Sequence, residues 1–218
     1  MFALETANNI IVSVVYMNIK LNIVEKANTL FRTFGFRGVT VDDICRECGI
    51  SKKTIYNYYS DKESLANETI KFHYNNLYKE IKKIIDLSIN SIETFFKISS
   101  HFRETLNDTT PLFVHDLKKF HPELYKNHQD YKEKLFEKSL QKVLIAGKEE
   151  GLIRNDINEK IISKLRIEMV EIGFNQDIFP LKKYDYRDIQ LISFDLFLRG
   201  VVTSDGLKVY EKFLKKIN

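Results

Sequence analysis

From Ile19 the apolar residues Ile19, Ile23, Ala27, Leu30, Phe31 and Phe34 recur at three- and four-residue steps, the spacing of one face of an α-helix. Gly35 and Gly38 close that run. Thr40 stands three residues before Asp43, a capping arrangement that starts a short second helix running to about Cys48, and Gly49 supplies the left-handed turn that stops it. Ser51 predicts the N-cap of a third helix, to about Tyr58. The S-x-x-E of Ser60 and Glu63 predicts the start of a fourth, which runs on through Leu77, Ile81, Ile84 and Ile85. Beyond it the pattern predicts longer helices over 62–86, 89–107, 111–120 and 122–149, the last opened by Pro122 and carrying Phe136, Leu140, Val143 and Leu144 as its buried stripe. A loop from Gly151 to Asn155 precedes helices over 157–175 and 186–202, and a final helix follows Ser204 or Asp205. Residues 1–16 match no motif; with Met17 they form an unassigned N-terminal extension.

The helix over 186–202 is apolar on more than one side. Ile189, Ile192 and Leu196 mark one stripe, and Leu191, Phe194, Leu198 and Val201 mark another. Such a helix must bury both sides, in its own subunit or with one side against a partner. With Ile161, Leu165, Met169 and Ile172 of the preceding helix it can build a symmetric four-helix contact, so the expected dimer interface comprises Ile161, Leu165, Met169, Ile172, Leu191, Phe194, Leu198 and Val201. The alternative is that both helices lie in the core of a monomer.

Composition agrees with an all-α chain. With 44% apolar residues, only 3 Pro and 8 Gly among 218 residues, there is enough to bury a core and too little punctuation for a many-turned sandwich. The net charge of +4 is modest. Residues 17–62 hold eight basic residues (Lys20, Lys26, Arg32, Arg37, Arg46, Lys52, Lys53, Lys62) against five acids (Glu25, Asp42, Asp43, Glu47, Asp61); this permits a phosphate-binding face without proving one. Two cysteines cannot make a disulfide framework, no secretion signal is recognisable, and the apolar run Ile10–Tyr16 is far short of the roughly 20 residues a membrane span needs. A cytoplasmic protein with no membrane partner is expected.

Residues 40–62 read T-V-D-D-I-C-R-E-C-G-I-S-K-K-T-I-Y-N-Y-Y-S-D-K: helix, glycine turn, short second helix. This is helix-turn-helix grammar. Ile55 and Tyr59, one turn apart, can face inward and leave Lys52, Lys53, Tyr56 and Asn57 outside. Lysines and helix N-terminal N–H groups bind phosphates, tyrosine hydroxyls donate to them, and Asn or Lys can read base edges. The bland reading of the same residues is a helical hairpin with a solvated face.

The order of a helix, G-F-R-G-V-T-V-D-D-I, C-G-I-S-K-K-T-I-Y-N-Y-Y and S-D-K-E-S-L, from about Asn18 to Ile70, resembles the N-terminal domain of TetR-type repressors. The later A-G-K-E-E-G-L-I-R-N-D-I looks like the junction before that family's dimerisation helices. The resemblance implies an all-α homodimer with a DNA-binding domain over 18–63 and an effector-binding and dimerisation domain over 64–218, partnered by double-stranded operator DNA and a small-molecule effector. It implies that Thr40 and Lys62 clamp phosphates and that Ser51, Lys52, Thr54, Tyr56, Asn57 and Tyr58 lie at or near the DNA. Lys53 stands where the family usually has a small residue, adding a contact or altering base preference. Effector candidates, on the resemblance and on the aromatic character of most small-molecule sites, are His73, Phe95, His101, Phe102, Phe113, Tyr131 and Phe174.

Other chemistries find little support. The C-x-x-C of Cys45 and Cys48 lacks the adjacent strand of a thioredoxin motif and the two further ligands of a zinc site, so small core residues are the favoured reading and oxidation-linked DNA release the minor one. His115, His121 and His128 lack H-x-x-x-H spacing, and neither a phosphate-cradling glycine loop nor a nucleophile elbow or dinucleotide fingerprint is present. Neither an enzyme nor a metal or cofactor is expected. The competing reading is a helical protein-interaction module that has lost DNA binding, against which stand the polar, correctly spaced Lys52, Tyr56, Asn57 and Lys62.

Overall fold

The computed structural model describes the backbone of residues 2–105, 112–180 and 182–215, and side chains from Val14 to Glu104 and through the two later ranges. The expected 89–107 and 111–120 helices therefore have their facing ends outside the described residues. The elements are α1 (Phe2–Gly38), α2 (Val41–Cys48), α3 (Lys52–Tyr56), α4 (Lys62–Leu87), α5 (Ser91–Thr105), α6 (Leu112–Phe120), α7 (Pro122–Lys132), a π-helical turn (Glu133–Glu137), α8 (Lys138–Glu149), α9 (Glu159–Gly173), α10 (Tyr186–Val201) and α11 (Ser204–Leu214). Among the described residues there is no strand, only an isolated bridge between Ile153 and Val202.

Residues 2–17, which match no motif, carry the backbone of α1 upstream without a break. The helix loses its regular dihedrals at Gly35 (φ 78°, ψ 166°), a region open almost solely to glycine. The distortion admits α6: Asp116 Oδ2 accepts the Arg37 N–H at 2.9 Å, and a β-carbon on Gly35 would lie 2.8 Å from that same oxygen.

Caps set the short elements. Thr40 and Asp43 form a complete capping box, and Gly49 (φ 66°) ends α2. Ser51 caps α3, whose regular part stops at Tyr56, two residues before the expected end. The cap of α4 is Asp61 rather than Ser60: Asp61 Oδ1 accepts the Ser64 N–H at 2.7 Å, while the Ser60 hydroxyl donates to Asp61 Oδ2. A carboxylate at this N-terminus also meets the helix dipole favourably. The expected 122–149 helix follows one path but widens into the π-helical turn, a geometry often found beside functional sites. Helix α9 starts two residues late behind Asn158, whose side chain accepts from the Lys160 and Ile161 N–H groups, and Thr203 caps α11.

Two cores result. The first joins Ile23, Ala27, Phe31, Ile44, Ile55, Leu65, Ile70 and Tyr74 with Leu117 of α6 and Leu124 of α7, so its packing crosses the expected division at residue 63. The second joins Ile92 and Phe95 of α5, Val143 and Leu144 of α8, Phe194, Phe197, Leu198 and Val201 of α10, and Tyr210 of α11. Of the predicted 122–149 stripe, Val143 and Leu144 are fully buried, whereas Phe136 and Leu140 are half-buried. Both of these face the cavity described next.

Candidate DNA interface and effector cavity

Helices α2 and α3 are held by Ile44, Cys45, Ile55 and Tyr59, all buried. Ile55 and Tyr59 thus face inward, and Ser51, Lys52, Lys53, Tyr56 and Asn57 are exposed on the outer side, Tyr56 at 50%. Lys52 pairs with Asp42 at 2.9 Å, bracing α3 against the start of α2; the hydrogen bond to that carboxylate holds the ammonium proton more tightly than usual. Thr54 is half-buried, and its hydroxyl shares a 2.9 Å bond with Ser51. Thr40 is exposed, with its side chain engaged by Asp43, whose carboxyl the bonds from Thr40 hold below the usual range. Tyr58 packs on Tyr16, ring centroids 4.4 Å apart, and so ties the unit to the upstream part of α1.

Lys62 is placed differently from a free phosphate clamp. Its ammonium donates to the Phe36 carbonyl at 2.6 Å and lies 4.2 Å from the centroid of the Phe36 ring, and burial makes the proton easier to lose. It secures the end of α1 to the start of α4, a positioning task for the whole unit.

A cavity of about 200 Å³ lies among α1, α4, α5, α6, α7, α8, α9 and α10. Of the effector candidates, His73, Phe95, His101, Phe102, Phe113 and Phe174 line it; Tyr131 does not, standing instead parallel to Tyr74 with centroids 6.4 Å apart. Pattern reading missed the charged lining: Arg32, Lys132, Arg166 and Glu171. A signal existed, since Lys132 falls four residues from both His128 and Phe136, and Arg166 four from both Ile162 and Val170. A basic residue on an apolar stripe is costly to bury and asks for a reason.

Burial lowers the Arg32 and Arg166 pKa values, the latter to about 10. The Arg32 guanidinium meets His73 Nε2 at 2.7 Å, and burial, reinforced by that cation, keeps the imidazole well below its ordinary pKa and hence neutral. Burial alone would raise Glu171, but its contacts with His128 and Lys132 outweigh it and hold the carboxyl low. Tyr74 completes this network through His128 Nδ1 at 3.0 Å.

Two structural links join cavity and outer face. Helix α6 turns Phe113 and Val114 to the cavity and Asp116 to the end of α1, while Glu63 of α4 bonds His121 just before α7 at 2.8 Å. Helix α4 itself runs from Lys62 at the outer unit to Thr69, His73, Leu77 and Ile81 along the cavity wall.

At the other end of the molecule α9 and α10 expose Ile161, Leu165, Ile172, Leu191, Ile192 and Leu196, each between 43% and 62%. Met169 and Ile189 are half-buried. Of the anticipated interface, Phe194, Leu198 and Val201 lie instead in the second core: on α10 Leu191, Ile192 and Leu196, beside the half-buried Ile189, are the apolar side chains left exposed among the described residues. Cys45 and Cys48 are free thiols, and burial raises both above their ordinary pKa, the environment of packing rather than of a reactive thiolate. Among the described residues no cluster of metal-ligating side chains occurs and no helix is long and apolar enough to cross a membrane.

Residues 23–69 match the family described as bacterial regulatory proteins, tetR family. The chain is 25% identical over 153 residues to the HTH-type transcriptional repressor DhaR of Mycobacterium sp. (strain GP1), a match spanning 68% of this chain and 77% of that one. It is 24% identical over 149 residues to the HTH-type transcriptional repressor KstR2 of Rhodococcus jostii (strain RHA1), spanning 65% and 71%. In fold it is similar to a TetR-family transcriptional regulator from Agrobacterium tumefaciens, with a TM-score of 0.71, 12% identity, and coverage of 86% of this chain and 99% of the other.

Proposed function

We propose that the chain is a DNA-binding transcription regulator of the TetR type, a cytoplasmic, ligand-responsive repressor that holds a palindromic operator as a homodimer; the family match over 23–69 and the repressor relatives support the reading. The observation that carries the reading is the outer face of α3: Lys52, Lys53, Tyr56 and Asn57 are solvent-exposed on a helix-turn-helix whose inner side is fully packed. A helix so presented can enter a major groove, with lysines and the Tyr56 hydroxyl toward phosphates and Asn57 toward base edges. Pairing through the exposed α9–α10 face would set two such units at a fixed separation, which is what makes an operator palindromic.

Ligand response follows from continuity. A molecule in the cavity touches α4 and α6, and both reach the end of α1 and the start of α4 on which the helix-turn-helix sits. A ligand that favours one placement of these helices shifts the dimer between DNA-competent and DNA-incompetent forms by its differential affinity for the two. The test is selection of bound duplexes from a random DNA pool at near-physiological salt, beside a Tyr56→Ala control. Enrichment of a palindrome that the control loses, with affinity falling steeply as salt rises, is expected. Absence of any enriched sequence from protein freed of bound small molecules would overturn the reading and favour an interaction module.

A further inference from the structure

We infer that the effector is an amphiphilic organic anion, an apolar body bearing one carboxylate that pairs with Arg166. The inference rests on the ligand-responsive reading above and goes beyond it by naming the chemical class.

The cavity lining holds three cations, Arg32, Lys132 and Arg166, against one carboxylate, Glu171. That carboxylate is already shared: Glu171 Oε1 lies 3.4 Å from Lys132 Nζ and 3.7 Å from His128 Nε2. Lys132 is buried; its ammonium makes no hydrogen bond among the described residues but forms ion pairs with Glu171 and, at 3.7 Å, with Glu168 Oε1. Arg166 has less still. Its guanidinium reaches Ser193 Oγ at 3.4 Å and otherwise packs over the rings of Phe194 and Phe197, at 5.7 and 5.6 Å. Among the described residues no carboxylate comes within ion-pair distance of it.

Arg166 is half-buried and partly desolvated; a cation in that position without a counter-ion is destabilising, and a ligand that supplies the missing charge relieves the cost. The two phenyl rings fix the guanidinium plane in advance, and a planar fork so held suits the two oxygens of a carboxylate. Phe95, Phe102, Phe136 and Leu140 belong to the predominantly apolar remainder of the wall, which also carries Thr69, Ser99 and Ser139. A cavity of about 200 Å³ is many times the space a single water needs, so it admits an organic body of several heavy atoms. A neutral molecule of the same shape would leave Arg166 without a counter-ion, and a cationic one would add repulsion.

The test uses the full chain, freed of bound small molecules by unfolding and refolding, and three families of probe of matched chain length: straight-chain carboxylates from hexanoate to dodecanoate, the corresponding alcohols and the corresponding amines. Affinities come from calorimetry and thermal shift on wild type, Arg166→Met and Lys132→Met. The best carboxylate is expected to bind about ten- to a hundredfold more tightly than its alcohol, the gain of a charge-assisted hydrogen-bonded pair, and the amines are expected not to bind. Arg166→Met is expected to remove most of that preference while the ligand-free variant melts no lower than wild type, since Met keeps the packing on Phe194 and Phe197 and removes an unpaired charge. Lys132→Met, which removes one of the two partners of Glu171, is expected to reduce carboxylate binding less. The inference is overturned if alcohols bind as well as carboxylates, if Arg166→Met keeps the preference, or if the ligand-free Arg166→Met protein is destabilised as loss of a structural arginine would require. Failure of every probe class to bind or to release operator DNA would instead remove the ligand-responsive reading, and this inference with it.

Discussion

Leu196→Asp places a carboxylate on the exposed apolar face of α9 and α10. Six leucine and isoleucine side chains there are each 43% to 62% exposed. Full burial of such a side chain stabilises by about 1.5–3 kcal/mol, so covering the remaining half contributes about 1 kcal/mol each. Two copies of the face bring twelve side chains together, hence about 12 kcal/mol gross, against an association cost of about 4–15 kcal/mol. Where that cost lies near its lower end, about 8 kcal/mol remains, a micromolar dissociation constant, and the half-buried Met169 and Ile189 add to it. The aspartate removes about 1 kcal/mol of apolar contact and leaves an unpaired charge in the contact for at least about 1 kcal/mol more; two-fold symmetry counts both terms twice. The dimer is therefore expected to weaken by about 4 kcal/mol, roughly a thousandfold. Sedimentation velocity over a concentration series measures this, with circular dichroism to show that the fold persists, since the site is already solvent-exposed in the single chain. A variant that remains dimeric with unchanged concentration dependence would refute the assignment of this face, as would a wild-type protein that is monomeric throughout.

Tyr56→Ala, at a half-exposed site, is expected to leave thermal stability unchanged and to weaken operator binding about ten- to a hundredfold by fluorescence anisotropy; undiminished affinity would show that α3 is not the docking helix. Gly35→Ala is expected to lower stability by about 1–3 kcal/mol, because alanine is strained at that dihedral pair and its β-carbon meets the Asp116 carboxylate; chemical denaturation reads it, and a neutral result would mean that α6 does not need this approach. His73 is held neutral, with its folded pKa depressed below the ordinary 6.5. The stability it contributes is then present above pH 6.5 and is lost as pH falls from there toward the folded value. The thermal midpoint of wild type should decline over that window and that of His73→Gln should decline less; identical slopes would place the pH dependence elsewhere.

The outer unit was legible in the sequence to within two residues. Thr40 with Asp43, Gly49 and Ser51 act over one helical turn, so the chemistry that starts and stops α2 and α3 is contained in neighbouring residues, and the inward pair Ile55 and Tyr59 follows from the helical period alone. The same locality explains the small errors. Ser60 and Asp61 are both competent caps, and the choice between them depends on the exact entry angle of the chain.

Where side chains converge from distant segments, local pattern was silent. Six aromatic or histidine candidates reached the cavity, but composition drew attention to them without showing that Arg32, Lys132, Arg166 and Glu171, spread over 140 residues, share its wall. The resemblance made Lys62 a phosphate clamp without revealing its packing against Phe36, and the α10 stripe expected at the interface, Leu191, Phe194, Leu198 and Val201, lies largely in the second core. Hydrophobic periodicity determined which helices form and which sides must be covered, because burial of apolar area is non-directional and needs only a pattern. What covers each side, and which buried charges meet, was decided by the tertiary structure alone, because electrostatic pairing in a poorly solvated interior depends on distances of a few ångströms between residues far apart in the chain.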